Sequence, residues 1–290
     1  MTSSTQEKCA AFRALHQQGC FALPNPWDAG TARMLQGMGF KALATTSSGQ
    51  AWSEGLSDGA ASLASVLSHL RSIVQATDLP VNADFESGFA ADPDGVAENV
   101  RQALATGIAG LSIEDATGDA SQPQRGIAES VARIRAARAA IDEAGSQALL
   151  VGRAENFFVG RPDLADTIAR LKAYADAGAD CLYAPGIQTR EQIEAVVAAV
   201  APKPVNVLIG SASAFTLREL EALGVRRVSV GGALARAAWG GFLRAARGLA
   251  ENGRFDGFTD AVPGKELNAF FDRFRDHAGE SGGQRGGAAG

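Results

Sequence analysis

The sequence predicts a (β/α)8 barrel, in which eight parallel strands alternate with helices around a closed core. Short apolar runs of four or five residues recur along the 290-residue chain, and a segment with helical periodicity follows each of them. Most of these runs end in a group of polar residues. An open doubly wound sheet is the alternative, but no GxGxxG phosphate loop follows the first run. The alternation therefore favours the barrel.

A helical stretch over residues 6–18 comes first, and eight pairs of a strand and a helix follow. Apolar residues within 62–76 recur three and four positions apart, which is the spacing of one helix face. The helix over 164–177 is expected to end at Gly178, a typical C-cap residue. The predicted strands are residues 20–23, 42–45, 80–83, 109–113, 148–151, 181–184, 205–208 and 227–230. The helices after them are residues 30–38, 62–76, 93–105, 130–143, 164–177, 191–199, 216–223 and 235–248.

Composition indicates a globular chain with one domain. Apolar residues make up 46% and charged residues 20%, which excludes a disordered protein. We expect a single barrel domain with N- and C-terminal helices over residues 1–278, and a disordered Gly-rich tail over 279–290. The net charge of −5 gives no general attraction to nucleic acid or to an anionic membrane. No apolar run approaches the roughly 18 residues of a membrane span, and the polar N-terminus lacks the core of a secretion signal.

Several kinds of chemistry are excluded by scarce residue types. The three cysteines are far apart without metal-ligand spacing, which fits a reducing cytoplasm. Three histidines cannot easily supply a His-rich zinc site or a serine triad. Lys41 and Lys203 precede strands, at the wrong end of the barrel, and no lysine is placed for a Schiff base. An aldolase-like reaction would therefore need a metal ion.

Acidic residues gather where strands end, on the face of a barrel that carries its chemistry. Because strand side chains alternate, Asn82, Asp84 and Glu86 share one face if the third strand continues that far. On the fourth strand, Ser112 and Glu114 share a face, so Glu114 is expected in the same cavity. Such a row is costly inside a barrel unless a cation or hydrogen-bond donors meet it. A solvated loop with two acids is the alternative.

Three further polar positions have two interpretations each. Asp115 is expected to point away from the cavity, as a partner for Arg125. Arg153 and Glu155 share a face of the fifth strand, either in the cavity or as a structural ion pair. Asn206 lies within the seventh strand, where it binds either a ligand or another barrel residue.

The ligand types indicate which metal would bind. Asp84 and Glu114 are hard oxygen ligands with no His or Cys beside them, which favours Mg²⁺ or Mn²⁺ over zinc. Mg²⁺ usually keeps several waters, so two direct carboxylates would suffice, with Asp58, Asn82 and Glu86 around them.

Two small-residue segments are candidates for anion binding. Ser47-Ser48-Gly49 predicts a turn whose backbone N–H groups could hold a carboxylate or phosphate. Gly231-Gly232 occupies the usual phosphate position after the eighth strand of a barrel. Close backbone packing explains the glycine pair equally well.

An ordered set of motifs on successive strand ends resembles the isocitrate lyase/phosphoenolpyruvate mutase superfamily. The resemblance runs from about residue 21 to residue 232. The motifs are Asn25-Pro26-Trp27-Asp28-Ala29, Ser47-Ser48-Gly49, Asp58, Asn82-Ala83-Asp84-Phe85-Glu86-Ser87-Gly88, Ile113-Glu114-Asp115, Arg153-Ala154-Glu155 and Asn206.

The resemblance implies a Mg²⁺-dependent barrel that forms or breaks C–C or P–C bonds of 2-oxo or 2-hydroxy acids through a metal-stabilised enolate. Metal binding is implied for Asp84 and Glu114, and for Asp58 through water, with Asn82 and Glu86 surrounding them. Members commonly form tetramers that exchange a C-terminal helix, here residues 266–275, so we expect a homo-oligomer, either a dimer or a tetramer. The implied catalytic residues are Asp58, Glu114 and Arg153, and the implied substrate-binding residues are Trp27, Ser48, Gly49, Gln50, Arg153, Glu155 and Asn206.

The sequence departs from the superfamily pattern where the reaction is decided. Lyases acting on isocitrate or methylisocitrate carry Lys-Lys/Arg-Cys-Gly-His on the loop after strand four, but residues 116–125 contain no Cys, Lys or His. Tyr183-Ala184-Pro185 replaces the mutase-type His, and Gly231-Gly232-Ala233-Leu234 stands where decarboxylases carry theirs. The motifs of substrate binding are therefore kept, while those that select the reaction are not.

Three functions remain open. The first is a Mg²⁺-dependent lyase that cleaves a C–C bond of a small 2-oxo or 2-hydroxy (di)carboxylic acid, as methylisocitrate lyase or oxaloacetate decarboxylase does. Decarboxylation needs no acid for its leaving group, which suits a loop without Cys. The second is a mutase or hydrolase that acts on the P–C bond of phosphonopyruvate. The third is a barrel that binds a 2-oxo acid without turning it over.

Overall fold

The computed structural model describes residues 3–274, and strands alternate with helices along them. Eight parallel strands form one sheet in the order β1-β8-β7-β6-β5-β4-β3-β2. A hydrogen bond of 3.1 Å from Ala44 N to Pro24 O joins the two ends, so the barrel is nearly closed and the predicted fold class is confirmed. The strands are β1 Phe21–Leu23, β2 Leu43–Ala44, β3 Val81–Asp84, β4 Gly110–Glu114, β5 Leu149–Arg153, β6 Cys181–Tyr183, β7 Val205–Leu208 and β8 Arg227–Ser229.

A helix precedes the barrel and others follow its strands, close to the predicted positions. One helix, α3, was predicted as a turn, and the structure corrects this: Thr46 caps it, accepting the Gly49 N–H on its side chain. The helices are α1 Thr5–Leu15, α2 Ala29–Gly37, α3 Ser47–Ser53, α4 Leu63–Ala76, α5 Pro93–Leu104, α6 Ile127–Glu143, α7 Leu164–Asp176, α8 Arg190–Val200, α9 Leu217–Ala222, α10 Ala233–Asn252 and α11 Gly264–Asp272.

The chain divides into two compact units, one up to Arg236 and one from Ala237 onward. The first unit contains the whole barrel. The second contains most of α10, a short 3₁₀ turn at Asp256–Phe258, and α11. The predicted tail over 279–290 lies outside the described residues. Within 3–274, no helix is both long and apolar enough to cross a membrane.

The barrel interior is closed from below by α1 and crossed by a polar layer. Phe12 of α1 is fully buried, and a side chain at Gly110 would come within 3.0 Å of both its ring and Asn82 Oδ1. Arg227 on β8 donates from Nε to Asn206 Oδ1 at 2.9 Å and from Nη1 to Asn82 Oδ1 at 3.3 Å. This layer forms the floor beneath the carboxyl ends of the strands.

Candidate active site

A cavity of about 990 Å³ opens at the carboxyl ends of the strands, and all of its lining residues belong to the barrel unit. Polar side chains from the ends of β2 to β5 form one part of its wall. The structure brings together there eight of the predicted site residues: Ser48, Asp58, Asn82, Asp84, Glu86, Glu114, Arg153 and Glu155.

Arg153 is the centre of the polar wall. It ends β5 beside Glu114, its register partner on β4. Its Nη1 lies 3.2 Å from Asp84 Oδ1 and 3.1 Å from Glu114 Oε2, while its Nε donates to Glu155 Oε1. The guanidinium also lies over the Tyr183 ring, 5.1 Å from its centroid. One nearly buried cation thus holds carboxylates from three strand ends.

The carboxylates outnumber the positive charge that faces them, and their pKa values reflect this. The pKa of Glu114 lies well above its usual range. Burial is the main cause, the charges of Glu155 and Asp84 raise the pKa further, and Arg153 only partly opposes these effects. Burial, then the neighbouring Asp84 and Asp58, raise the pKa of Glu86 to about 7. The pKa of Asp58, at the solvent side of the cavity, is also raised, by desolvation and by Asp84.

Glu86 enters the cavity by a route that strand alternation does not describe. The strand ends at Asp84, and Glu86 has a φ of +45°, a left-handed conformation that is uncommon outside glycine. Its Oε1 is buried without a hydrogen-bond partner. The condition that β3 continue to Glu86 is therefore not met, but the Glu86 side chain still lines the cavity beside Asp84, as expected.

The first turn of α3 is tied to the carboxylate cluster. Ser47 N donates to Asp84 Oδ2 at 3.0 Å, so one of the N–H groups expected to hold a ligand is already engaged. The Ser48 hydroxyl lies 3.1 Å from the Thr46 hydroxyl. A Cβ added at Gly232 would lie 2.7 Å from Ser48 Oγ and 3.1 Å from the Trp52 ring. Close packing therefore accounts for this glycine.

Four predicted substrate-binding residues do not line the cavity: Trp27, Gly49, Gln50 and Asn206. Gln50 is buried, and its Nε2 donates to Glu54 Oε1 at 3.0 Å and Ser65 Oγ at 3.1 Å. Asn206 is fully buried, with its Oδ1 on Arg227 and its Nδ2 on Ser229 Oγ at 2.9 Å. The structure thus places Asn206 in the polar layer under the cavity.

Asp115 faces away from the cavity as expected, but its predicted partner is wrong. Its Oδ2 accepts from Arg170 at 3.0 Å, Tyr174 at 2.6 Å and Gln124 at 3.1 Å. Arg125 is a backbone partner instead, because its N–H donates to the Asp115 carbonyl at 2.9 Å. Its side chain pairs with Glu129.

Some further lining residues were not named among the predicted site residues, although alternation places Ser112 on the cavity face. They include Thr45, Thr46 and Ser112 on the polar side. Tyr183 could have been recognised as a lining residue, because it ends β6 next to Arg153, which ends β5. The loops after β6 and β7 contribute mostly apolar and small residues, which single-sequence reasoning did not assign to a site.

Asp84 and Glu114 are the residues that could hold a cation, since both reach the same Arg153 nitrogen. No group of three His, Cys, Asp or Glu side chains within 3–274 is arranged to hold a metal ion. Any bound Mg²⁺ would therefore have few protein ligands, which is usual for Mg²⁺ because it keeps several of its waters.

Comparison with known proteins places this chain in a family. The profile of the phosphoenolpyruvate phosphomutase family matches residues 12–250. A Burkholderia cenocepacia J2315 structure described as a lyase/mutase is 51% identical, with a TM-score of 0.90 and coverage of 92% of this chain and 97% of that one. The uncharacterized protein Rv1998c of Mycobacterium tuberculosis is 30% identical over 89% of this chain and 95% of its own length.

A named enzyme matches over a shorter span. The oxaloacetate decarboxylase of Bradyrhizobium sp. BTAi1 is 33% identical over 178 residues, or 58% of this chain and 57% of that protein. The family is named for a phosphomutase, and its relatives with named activities include oxaloacetate decarboxylases and a 2-methylisocitrate lyase. The chain belongs to the phosphoenolpyruvate phosphomutase family, within the isocitrate lyase/phosphoenolpyruvate mutase superfamily that its motifs resemble.

Proposed function

We propose that the chain is a Mg²⁺-dependent lyase that cleaves a C–C bond of a small 2-oxo or 2-hydroxy acid, and that decarboxylation of an oxaloacetate-like acid suits its residues best. The observation that carries the proposal is the convergence of Asp84 and Glu114 on one nitrogen of Arg153. The partial similarity to oxaloacetate decarboxylase supports the same class of reaction.

The donor set fits Mg²⁺, with Mn²⁺ as a second possibility. Asp84 and Glu114 offer only carboxylate oxygens, and Glu86 adds a buried oxygen without a partner. Asp58 lies at the solvent side of the same cavity and would act through water. When bound, the ion supplies Lewis-acid stabilisation of negative charge developing on a 2-oxo acid.

The protein residues would bind the substrate and stabilise charge. Arg153 remains protonated, because Glu114 and Glu155 raise its pKa more than burial lowers it. In the decarboxylation, the C3–C4 bond breaks, its electron pair forms the enolate across C2 and C3, and CO2 departs. Arg153 would stabilise the enolate oxygen. A proton from water then returns to C3, since the loop over 116–125 contains no Cys, Lys or His to donate one.

The test measures pyruvate release from oxaloacetate with Mg²⁺, alongside 2-methylisocitrate, 2,3-dimethylmalate and phosphonopyruvate. Because free Mg²⁺ decarboxylates oxaloacetate, enzyme-free and Asp84→Ala controls are required. We expect Asp84→Ala to abolish metal-dependent turnover. Asp176→Ala, an exposed carboxylate outside the cavity, should behave as the wild type. A fully active Asp84→Ala enzyme would contradict the metal assignment, and phosphate release from phosphonopyruvate would favour the P–C reaction.

We also propose that the chain assembles as a homo-oligomer through its C-terminal unit. Trp239, Phe242 and Leu243 of α10 are exposed by 39%, 60% and 40%, and the Phe255 and Phe258 rings that follow are exposed as well. An apolar surface of this kind is typical of an interface. Light scattering of the full chain should give a dimer or tetramer, and Phe242→Asp should shift it toward the monomer. A monomeric wild type would refute the assembly.

A further inference from the structure

The cavity has two unlike walls. The polar wall is formed by the ends of β2 to β5, and the facing wall comes from the loops after β5, β6 and β7. In an eight-stranded barrel, β6 and β7 lie across the axis from β2 and β3. A substrate held at Arg153 would therefore extend toward the second wall.

This second wall is mostly apolar, although Gln188, Ser211 and Ser213 also line it. It includes Phe158, Ile187 and Phe215, with Leu208 and Ile209 beside them. Phe158 is 55% exposed, an unusual state for a phenylalanine inside a barrel cavity. It packs against the backbone of Gly186, where an added Cβ would lie 3.1 Å from its ring. One edge of the ring thus contacts Gly186, while more than half of the Phe158 side chain stays exposed and lines the cavity.

Charged groups are missing from the two loops that build most of this wall. Residues 184–189 and 209–216 contain no Asp, Glu, Lys, Arg or His. Among the described residues, three arginines line the cavity. Arg153 is engaged by carboxylates, Arg227 lies in the floor and donates to two asparagines, and Arg236 is exposed in the first turn of α10, after β8. None of them belongs to the apolar wall.

We infer that the substrate carries an apolar substituent on C3, so that the enzyme prefers 3-alkyl-2-oxodicarboxylates to oxaloacetate. This inference rests on the proposed function. The 2-oxo acid group would bind at the polar wall, and the alkyl chain would contact Phe158, Ile187 and Phe215. A cavity of about 990 Å³ is far larger than a four-carbon acid needs. Loss of CO2 from C3 followed by protonation would give a longer 2-oxo acid, with atoms and electrons balanced as for oxaloacetate.

The experiment compares kcat/KM for 3-butyloxaloacetate and oxaloacetate, measured by CO2 release with Mg²⁺ and corrected for the enzyme-free rate. Buried methylenes each contribute several-fold to binding in an apolar pocket, so we expect a preference of at least ten-fold for the butyl compound. Phe158→Ser and Phe215→Ser should each lower this preference about five-fold or more. Met38→Ser, which removes an exposed apolar side chain outside the cavity, should leave the preference unchanged.

A second measurement separates this inference from the proposed function. Calorimetry with Mg²⁺ compares the binding of 2-oxoheptanoate, the product expected from the butyl substrate, with the binding of pyruvate. Equal or greater activity on oxaloacetate would overturn the inference and leave the lyase intact. Absence of turnover, with 2-oxoheptanoate binding at least ten-fold more tightly, would refute the proposed decarboxylation of oxaloacetate-like acids and support the apolar site. Equal binding of the two acids would overturn the inference in either case.

Discussion

Glu114 and Asp115 are adjacent carboxylates with opposite environments. Glu114 faces the cavity, where its described partner is the Arg153 nitrogen that it shares with Asp84. Asp115 faces the helices and accepts from Arg170, Tyr174, Gln124 and the Glu155 backbone N–H, the last at 2.8 Å. The two acids thus lie on opposite sides of the sheet. Asp115 has a full set of hydrogen-bond donors, whereas Glu114 has few and can still bind a ligand.

The two environments have different consequences. A buried acid with a full set of donors stabilises the fold, because each donor would otherwise be left without a partner. A buried acid with too few donors favours its neutral form, as the raised pKa of Glu114 indicates. Such an unfavourable burial of a carboxylate is typical of functional sites, where a bound ligand or cation supplies the missing interactions. The comparison makes the following four predictions, ordered by expected size.

The largest effect is expected at Asp115. Asp115→Asn replaces an acceptor oxygen with an NH2 group among four donors and weakens the buried pair with Arg170. We expect the free energy of unfolding to fall by about 3–5 kcal/mol, measured by urea denaturation. Asp176→Asn, an exposed carboxylate at the end of α7, is the control. A loss below about 1 kcal/mol would erase the distinction between the two neighbours.

Glu114→Gln should show the reverse pattern. Turnover of the substrate should fall at least about 100-fold, equivalent to about 2.7 kcal/mol in the activation barrier. Stability should stay the same or rise, since the substitution removes a buried charge with a raised pKa. Steady-state kinetics and thermal unfolding of one protein preparation measure both effects. A destabilised enzyme with unchanged kcat would show that Glu114 is structural.

His16 tests whether an unsatisfied buried group must be functional. It lies below the barrel, its Nδ1 2.7 Å from the Phe12 carbonyl and its Nε2 without a partner. Burial, then Arg227, lower the pKa of His16 to about 3. Its contribution to stability is therefore complete above about pH 6.5 and is lost as the pH falls toward 3.

The acid dependence of unfolding measures this effect. Between pH 7 and pH 5, His16 should account for about 2 kcal/mol of lost stability. His16→Gln should show a correspondingly smaller loss over the same interval, whatever its stability at pH 7. Identical pH dependence in the two proteins would mean that the imidazole titrates normally in the fold.

The smallest effect is the stabilisation by Mg²⁺ itself. At ten times its dissociation constant, a ligand that binds only the folded state adds about 1.4 kcal/mol, or a rise of about 4 °C in Tm for a chain of this size. Glu114→Gln and Asp84→Ala should lose this rise, while Asp115→Asn should keep it. Thermal unfolding with and without chelator gives the comparison, and an equal rise in all variants would place the ion elsewhere.

The strand ends could be predicted from the sequence because they depend on local rules. Alternation along β4 correctly predicts that Ser112 and Glu114 face the cavity, and alternation at the end of β5 places Arg153 and Glu155 on one face, which the structure shows to be the cavity face. The polar ends of the strands also mark the correct face of the barrel. These predictions need only the strand period and the fold class, and both are visible in a single sequence.

The remaining features depend on packing between distant segments. Arg170, the partner of Asp115, comes from α7, 55 positions further along the chain. Whether Asn206 reaches a ligand is decided by Arg227 on the neighbouring strand, which occupies its carbonyl oxygen. The apolar wall consists mostly of loop residues, and an apolar residue type in a loop does not by itself indicate a binding site. Such contacts follow from the complete fold and leave no periodic pattern in the sequence.

The loop over 116–125 is closed at its base by structure that does not involve the carboxylate cluster. Ala116 and Gln124 form an antiparallel bridge, and Gln124 donates to Asp115 and to Asn156 Oδ1, the latter at 2.9 Å. The residues between these anchors can therefore change in length and chemistry without moving Glu114. The site residues at the strand ends are therefore structurally independent of the loop over 116–125. A loop carrying an acid or a base could be transplanted here to give the same ligand-binding residues a different reaction.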